Sequence, residues 1–303
     1  MDRAVRKRRT LRDGLVAPTP VVMVGAHDAM SSLLIERYGF DAVWVSGFGV
    51  STMGFALPDL NLVTMTDTLQ AAVRIDAATT LPVVADCDNG FGALSNVVRT
   101  VIEFERAGIA GVCIEDNLFP KRNSLFQGDA KRDLVPVEEQ ARRIRAGKDA
   151  QASDEFVVIA RVEALIAGHG VEDACRRADA YVDAGADAIL IHSKDKSLAE
   201  IEGFLAAWKG LGSTPLVAVP TLFPDYTAEE LHAKGFQMVI LANQPMRAAV
   251  QAMEETLETL RRERKPAIVD GSIAPVDHVF ELVGTAEMIK LEDGTGRAPG
   301  VAT

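Results

Sequence analysis

Two stretches of the chain decide its fold: "LPVVADCD" at residues 81–88 and "AGVCIED" at residues 110–116. Each is a run of small and β-branched apolar residues that ends in carboxylates. Apolar side chains at nearly every position, rather than at alternate ones, are typical of parallel strands that are covered on both faces. The two stretches therefore predict a buried parallel sheet with acidic residues at the carboxyl ends of its strands.

Six further runs of the same kind bring the number of predicted strands to eight; they lie at 21–25, 42–47, 156–164, 188–193, 215–220 and 238–243. Helical patterns alternate with them. Eight such alternations predict the α/β class and a (β/α)8 barrel of the triosephosphate-isomerase type. We expect one domain over 1–303, with an N-terminal lead-in helix and a C-terminal helical extension. An open doubly wound sheet is the alternative, but "VGAHDA" after the first strand lacks the glycine-rich phosphate turn typical of that fold.

Composition limits the function. The chain has 303 residues, 48% of them hydrophobic, and a net charge of −11, which argues against nucleic-acid binding. No apolar run approaches the roughly 20 residues that span a membrane. The three cysteines are widely spaced and form no CxxC pair, and no apolar segment follows the basic N-terminus, so we expect free thiols and a cytoplasmic protein.

Polar residues follow the predicted strands, and in a barrel all these strand ends meet at one mouth. With Gly47 among them, they are Ser46, Asp86, Asp88, Glu115, Asp116, Arg161, Glu163, His192, Ser193 and Asn243. Several carboxylates in one pocket repel each other unless a cation joins them. Oxygen ligands without a Cys/His cluster favour Mg²⁺, with Mn²⁺ as the other candidate. The alternative is structural: some of these carboxylates, and Asp116 above all, cap the following helix or pair with Arg161.

Two segments are longer than ordinary connections, which is typical of functional loops. One runs from Phe48 to about Met65 and the other from Asn117 to about Val135; we call the second, residues 117–135, the gate loop.

Six motifs occur in the order that is typical of the phosphoenolpyruvate mutase/isocitrate lyase superfamily, which the chain resembles from about residue 10 onward. They are "SGFGVS", "LPDLN", "ADCDNGFG", "IEDNLFPKRNS", "VIARVEA" and "ADAILIHS". The resemblance implies 2-oxo acid substrates that react through a pyruvate enolate. It also implies a homotetramer, a dimer of dimers in which the last helix is exchanged between subunits.

Matched position by position, the resemblance assigns roles to particular residues. It implies a metal site at Asp86, Asp88 and Glu115. It implies substrate binding by Trp44, Ser46, Gly47 and Asn243, and catalytic roles for Asp59, Lys121, Asn123, Arg161 and His192.

The gate loop separates the subgroups of the superfamily. Lyases that resemble isocitrate lyase have a reactive cysteine where this chain has Asn123, whereas "FPKRNS" resembles the loop of the phosphonomutases. We therefore expect an isomerase that interconverts phosphoenolpyruvate and 3-phosphonopyruvate, an activity that belongs to phosphonate biosynthesis. A phosphonopyruvate hydrolase is the first alternative, and a lyase or decarboxylase of 2-oxo or 2-hydroxy dicarboxylates is the second. Asn117 departs from the resemblance, because the family has a lysine there.

Overall fold

Eight parallel strands pair in chain order and close into a barrel, β1 pairing with both β2 and β8. The computed structural model describes residues 2–126, 132–210 and 212–295. The strands are β1 Val21–Ala26, β2 Ala42–Val45, β3 Val83–Asp86, β4 Gly111–Glu115, β5 Val157–Val162, β6 Ala188–Ile191, β7 Leu216–Ala218 and β8 Phe236–Leu241. The predicted (β/α)8 barrel is confirmed, and each predicted strand lies in its place.

Helices connect the strands on the outside of the barrel, as the helical patterns predict. Their bounds are α1 Arg3–Gly14, α2 Ala29–Arg37, α3 Gly47–Gly49, α4 Met65–Ala77, α5 Leu94–Arg106, α6 Val137–Ala150, α7 Gly170–Asp183, α8 Ala199–Ala207, α9 Ala228–Ala233, α10 Gln244–Glu263, α11 Val276–Leu282 and α12 Thr285–Glu292. A π-helical turn, Val50–Gly54, follows α3, and a 3-10 turn, Pro266–Ile268, precedes α11. Within the part of the chain that the structure describes, no helix is both long and apolar enough to span a membrane.

The core has two parts because each strand buries both of its faces. Inward-facing side chains such as Met23, Val84 and Leu190 fill the barrel, and outward-facing ones such as Val43 and Ile114 pack beneath the helices. This double burial explains why the strand sequences are apolar at every position rather than at alternate positions.

The N-terminal segment forms the expected lead-in helix, α1, and its basic residues bind the barrel. Leu11 packs into the interior cluster. The Nζ of buried Lys7 lies 2.6 Å from Asp76 Oδ1, and Arg12 NH1 lies 2.6 Å from Asp187 Oδ1. Lys7 and Arg12 of this helix therefore form ion pairs with acidic residues of the same chain.

The chain divides into two compact units, Met1–Met246 and Arg247–Thr303. The first contains the barrel. The second contains most of α10 together with α11 and α12, and many of its apolar side chains are exposed, among them Leu257, Val276 and Ile289.

Candidate active site

The carboxyl ends of the strands surround a polar cavity, as the sequence predicts. Ten of the twelve predicted site residues line it: Trp44, Ser46, Asp59, Asp86, Glu115, Lys121, Asn123, Arg161, His192 and Asn243. Phe48, Arg122, Ser124, Leu125, Val219, Thr221 and Ala242 complete the wall. Gly47 and Asp88 lie behind this wall. A Cβ atom on Gly47 would come within 3.3 Å of Asp86 Oδ2 and of Asp88 Oδ1, so only glycine leaves these carboxylates undisturbed.

The turn after β2 presents Ser46 to the cavity. Ser46 is 4% exposed, and its Oγ accepts a hydrogen bond from the backbone N–H of Gly49 over 3.1 Å, which caps the short helix α3. The serine is thereby held in place at the mouth of the barrel. Its hydroxyl hydrogen stays available, because capping uses the oxygen as an acceptor.

The gate loop, of which residues 127–131 lie outside the described part of the chain, reaches into the cavity through Lys121. The Nζ of this buried lysine lies 2.9 Å from Asp59 Oδ1, and it also forms an ion pair with Asp88 Oδ1. Burial acts to lower the pKa of Lys121, but Asp88 and Asp59 outweigh it and hold the pKa well above its ordinary value. Lys121 is therefore a cation at neutral pH, and it joins the gate loop to two carboxylates from other segments.

The predicted metal ligands do not form a preassembled metal cluster. Asp86 and Glu115 face the cavity, whereas Asp88 pairs with Lys121. Across residues 2–126, 132–210 and 212–295, no three His, Cys, Asp or Glu side chains lie close enough together to hold a metal ion. The three-carboxylate site thus stays a prediction from the sequence.

Burial has the largest effect on the pKa values of Glu115 and Asp88. It raises the pKa of Glu115 to about 8, with Arg161 and Lys121 acting in the opposite direction. It also raises the pKa of Asp88 to about 6, opposed by Lys121. Both carboxyl groups are therefore stabilised in their charged form by any additional positive charge that enters the site.

A second cluster centres on Glu163, which is fully buried, and it adjoins the first because Arg161 Nε lies 3.5 Å from Glu115 Oε2. Its Oε1 accepts a hydrogen bond from Arg161 Nε over 2.5 Å, and its Oε2 accepts one from Ser124 Oγ over 2.8 Å. Burial acts to raise the pKa of Glu163, but Arg161 and His192 outweigh it and hold the pKa well below its usual range. The ionised Glu163 fixes Arg161 and joins it to the gate loop.

His192 lies between an arginine and a carboxylate. Its Nδ1 is 3.1 Å from Arg161 NH2 and 3.5 Å from Glu163 Oε1, so this nitrogen accepts from Arg161 in one tautomer and donates to Glu163 in the other. Burial lowers the pKa of His192, so the ring is neutral at neutral pH. Nε2 is buried and has no hydrogen-bond partner among the described residues. His192 lines the cavity, so the site offers a substrate one ring nitrogen that no protein group occupies.

Asp116 has a structural role, but its partners are Arg177 and Tyr181 rather than the expected Arg161 or helix cap. It is fully buried; its Oδ2 accepts hydrogen bonds from Tyr181 Oη over 2.7 Å and from Arg177 NH1 over 3.0 Å. Its Oδ1 accepts from the backbone N–H of Glu163 over 2.9 Å. Arg177 also donates to the carbonyl of Val135, so Asp116 anchors both strand β5 and the end of the gate loop.

Asn117 stands where the family has a lysine. It forms a hydrogen bond with a residue close to it in the sequence. Its Nδ2 donates to Glu115 Oε1 over 3.1 Å, and the side chain is buried. The amide therefore supports Glu115 with a hydrogen bond but supplies no charge.

Three side chains in the site have no role assigned to them by the resemblance: Ser124, Glu163 and Asn61, of which only Glu163 was named among the strand-end residues. The spacing of Glu163 indicates its position, because it stands two residues after Arg161 and side chains two apart point in the same direction along a strand. Ser124 follows Asn123 within the gate-loop motif. Asn61 closes the "LPDLN" motif, and nothing in its local sequence shows which elements it contacts.

Comparison with known proteins agrees with this site. The family model described as phosphoenolpyruvate phosphomutase matches residues 11–261. The crystal structure of phosphoenolpyruvate phosphomutase from Streptomyces platensis subsp. rosaceus superimposes with a TM-score of 0.91 at 43% identity, covering 95% of this chain and 98% of that one. Phosphonopyruvate hydrolase from Variovorax sp. (strain Pal2) is 40% identical over 287 residues, which is 94% of this chain and 98% of the hydrolase.

A crystal structure of phosphonopyruvate hydrolase in complex with oxalate and Mg²⁺ is also similar. It superimposes with a TM-score of 0.87 at 38% identity and covers 95% of this chain and 98% of that one. The chain therefore belongs to the phosphoenolpyruvate phosphomutase family. Relatives with mutase and hydrolase activity are similar to it to nearly the same degree.

Proposed function

We propose that this family member is a Mg²⁺-dependent phosphoenolpyruvate phosphonomutase, which interconverts phosphoenolpyruvate and 3-phosphonopyruvate. The observation that carries the proposal is the position of Asn123. It lines the cavity at the place where the related lyases have a reactive cysteine, and none of the three cysteines is among the residues that line this cavity. An amide binds a phosphoryl group through hydrogen bonds but does not attack it.

The reaction moves one phosphoryl group within a three-carbon acid. In the direction toward phosphoenolpyruvate, the bond between phosphorus and C3 breaks and its electron pair forms the enolate of pyruvate. The enolate oxygen then forms the new bond to phosphorus, so no water and no other acceptor is consumed. The protein must therefore stabilise the enolate, hold the phosphoryl group and exclude water.

The residues of the cavity fit these tasks. Arg161 supplies donors for the phosphoryl oxygens, His192 contributes its unpartnered Nε2, and Asn123 supplies a neutral donor from the gate loop. Ser46 supplies a hydroxyl for the carboxylate or the oxo group of the substrate. Lys121, buried on the same loop, adds positive charge beside them.

The donor set also fits a hard cation. Asp86 and Glu115 place carboxylate oxygens on the cavity wall, and because burial raises the pKa of Glu115, added positive charge would stabilise its ionised form. These two residues, with Asp88 behind them, would hold Mg²⁺. When bound, the ion supplies positive charge beside the substrate's oxygen atoms. The Mg²⁺ in the similar hydrolase structure supports the same choice of metal.

Phosphonopyruvate hydrolase is the second candidate function, because a hydrolase is 40% identical to the chain. A lyase or decarboxylase acting on a dicarboxylate is the third. The test is ³¹P nuclear magnetic resonance of the purified protein with phosphonopyruvate and Mg²⁺. A growing phosphoenolpyruvate signal without inorganic phosphate supports the mutase. Phosphate alone identifies the hydrolase, and an unchanged phosphonopyruvate signal contradicts both and favours the third candidate.

We also propose that the protein assembles as a dimer of dimers with its last helices exchanged. The support is the apolar surface of the second unit, where Leu257, Val276, Val283 and Ile289 are each more than half exposed. Exposed apolar patches of this kind mark interaction surfaces. Sedimentation equilibrium measures the mass: a tetramer agrees with the proposal, and a monomer at micromolar concentration contradicts it.

A further inference from the structure

Asn61 is the end of the "LPDLN" motif, and its side chain bridges three separate segments of the chain. Its Nδ2 donates to Asp88 Oδ2 over 2.9 Å, in the turn after β3. Its Oδ1 accepts from the backbone N–H of Lys121 over 2.6 Å, in the gate loop. The same oxygen also lies 3.4 Å from Asn89 Nδ2. One amide therefore bonds the gate loop and the acidic turn at the same time.

These contacts complete a closed set of bonds around Lys121. The ammonium of Lys121 pairs with Asp88 Oδ1, while Asn61 bonds the other oxygen of Asp88 and the backbone of Lys121. The lysine is thus held at both ends; Lys121 and Asp88 are buried, and Asn61 is partly buried. The gate loop cannot shift relative to Asp88 without breaking at least one of these bonds.

The backbone of Asn61 is also unusual, since its φ angle is +57°. Asparagine and glycine tolerate this left-handed conformation better than other residues. Replacement of Asn61 by glycine therefore removes the amide and keeps the backbone conformation accessible, which makes the amide's role separable from that of the turn.

We propose that Asn61 is a positioning residue that fixes the gate loop at Lys121 against Asp88 and thereby keeps water from the phosphoryl group. The inference rests on the proposed mutase function. Asn61 is not among the residues that line the cavity, so it acts through Lys121 and Asp88 rather than on the substrate. Its loss misplaces Lys121 and Asn123 together, because the two residues are neighbours on one loop.

The first test compares wild type with Asn61→Gly in the ³¹P assay with phosphonopyruvate and Mg²⁺. We expect the ratio of inorganic phosphate to phosphoenolpyruvate to rise at least tenfold, and kcat to fall more than KM rises, because the loop aligns groups for the transition state. The control is Leu62→Gly, which removes an exposed side chain from the same segment and should leave the ratio unchanged. A wild-type ratio in Asn61→Gly overturns the inference.

The second test does not depend on activity. Trypsin cleaves after the exposed Arg122 only when the loop opens, and the fragment is followed by mass spectrometry. We expect cleavage at this bond to be at least fivefold faster in Asn61→Gly than in Leu62→Gly. Equal rates overturn the positioning role, even if the wild-type protein proves to be a hydrolase or a lyase. A wild type that leaves phosphonopyruvate unchanged contradicts the mutase proposal alone.

Should Asn61→Gly fail to fold, Asn61→Asp provides the same comparison. It keeps an oxygen that accepts from Lys121 but places a carboxylate where the amide donated to Asp88. The repulsion between the two acids should also accelerate cleavage after Arg122, and an unchanged cleavage rate overturns the inference.

Discussion

The side-chain amide of Asn123 donates a hydrogen bond to Asp59 Oδ2 over 2.8 Å, and this bond joins the gate loop to the segment that follows β2. Asn123 Oδ1 accepts from the backbone N–H of Leu125 over 2.9 Å. Both ends of the amide are therefore engaged, and the second N–H of Nδ2 stays available for a substrate oxygen. Asn123 is oriented by the protein before any substrate arrives.

Replacement of Asn123 should redirect the phosphoryl group. We expect Asn123→Ala to lower phosphoenolpyruvate formation at least 100-fold, because it removes both the bond to Asp59 and the donor in the cavity. We expect Asn123→Thr to raise the share of inorganic phosphate, since related hydrolases place threonine here. Quantitative ³¹P resonance measures both products. Phe126→Ala, an exposed position on the same loop, serves as the control, and an Asn123→Ala enzyme with full rate contradicts the assignment.

His192 should contribute one hydrogen bond to a charged substrate group. Hydrogen bonds to charged groups contribute about 1.5–3 kcal/mol, so His192→Ala should lower kcat/KM by about 10- to 150-fold. His192→Gln keeps a side-chain donor and should recover part of the loss. Steady-state kinetics at pH 7.5 measures both variants, where the lowered pKa keeps the wild-type ring neutral. Equal activity of His192→Ala and the wild type would contradict a role in substrate binding.

The stability of the metal-free protein should fall as pH rises above neutrality. Glu115 has a folded pKa of about 8, above its ordinary 4.5, so its contribution to stability is fully present below 4.5 and is lost as pH rises through 8. Between pH 6.5 and 8 the expected loss is about 2 kcal/mol. Asp88, with a pKa of about 6, is already mostly ionised in this window.

Urea denaturation in EDTA, at intervals from pH 6.5 to 8.5, measures this decline. Glu115→Gln removes the titrating group and should flatten the curve. Added Mg²⁺ should stabilise the protein more at pH 8 than at pH 6.5, because the cation and the proton compete for the same carboxylate. The same increment from Mg²⁺ at both values would contradict a carboxylate metal site.

Removal of Asp116 should destabilise the fold. Asp116→Ala leaves Arg177 and Tyr181 without their shared acceptor, and the loss of one partner from a buried ion pair costs about 3–5 kcal/mol. The matched control is Glu202→Ala, which breaks the exposed pair with Lys234 and should cost about 1 kcal/mol or less. Urea denaturation measures both free energies of unfolding. Similar values for the two variants would refute the anchoring role of Asp116.

The positions of the strands follow from the sequence because each strand buries both faces. Runs such as 156–164 and 188–193 therefore lack the alternation of an exposed sheet, and they predict the parallel barrel directly. The bounds differ by a few residues, as for 81–88 against Val83–Asp86, because strand pairing ends where the chain turns into the mouth. Asp88 lies in that turn, with a φ angle of +51°, and not on the strand.

The contacts inside the site depend on residues far apart in the chain. Two bonds show this: Asn61 with Lys121, separated by 60 residues, and Ser124 with Glu163, separated by 39. Neither bond has a periodicity or a spacing that reveals it. For the same reason the sequence presented Asp86, Asp88 and Glu115 as equivalent ligands, whereas the structure places Lys121 against Asp88 alone of the three.

The sequence by itself determined the closed (β/α)8 barrel and the place of the site at its carboxyl-end mouth, because burial of whole strands leaves polar residues only at their ends. The tertiary structure alone decided which of those residues pair with each other and which role each one has. Glu163 became the partner of Arg161, Asp116 became an anchor rather than a ligand, and Asn61 joined the gate loop to Asp88. Such pairings depend on which side chains the folded loops bring within hydrogen-bond distance.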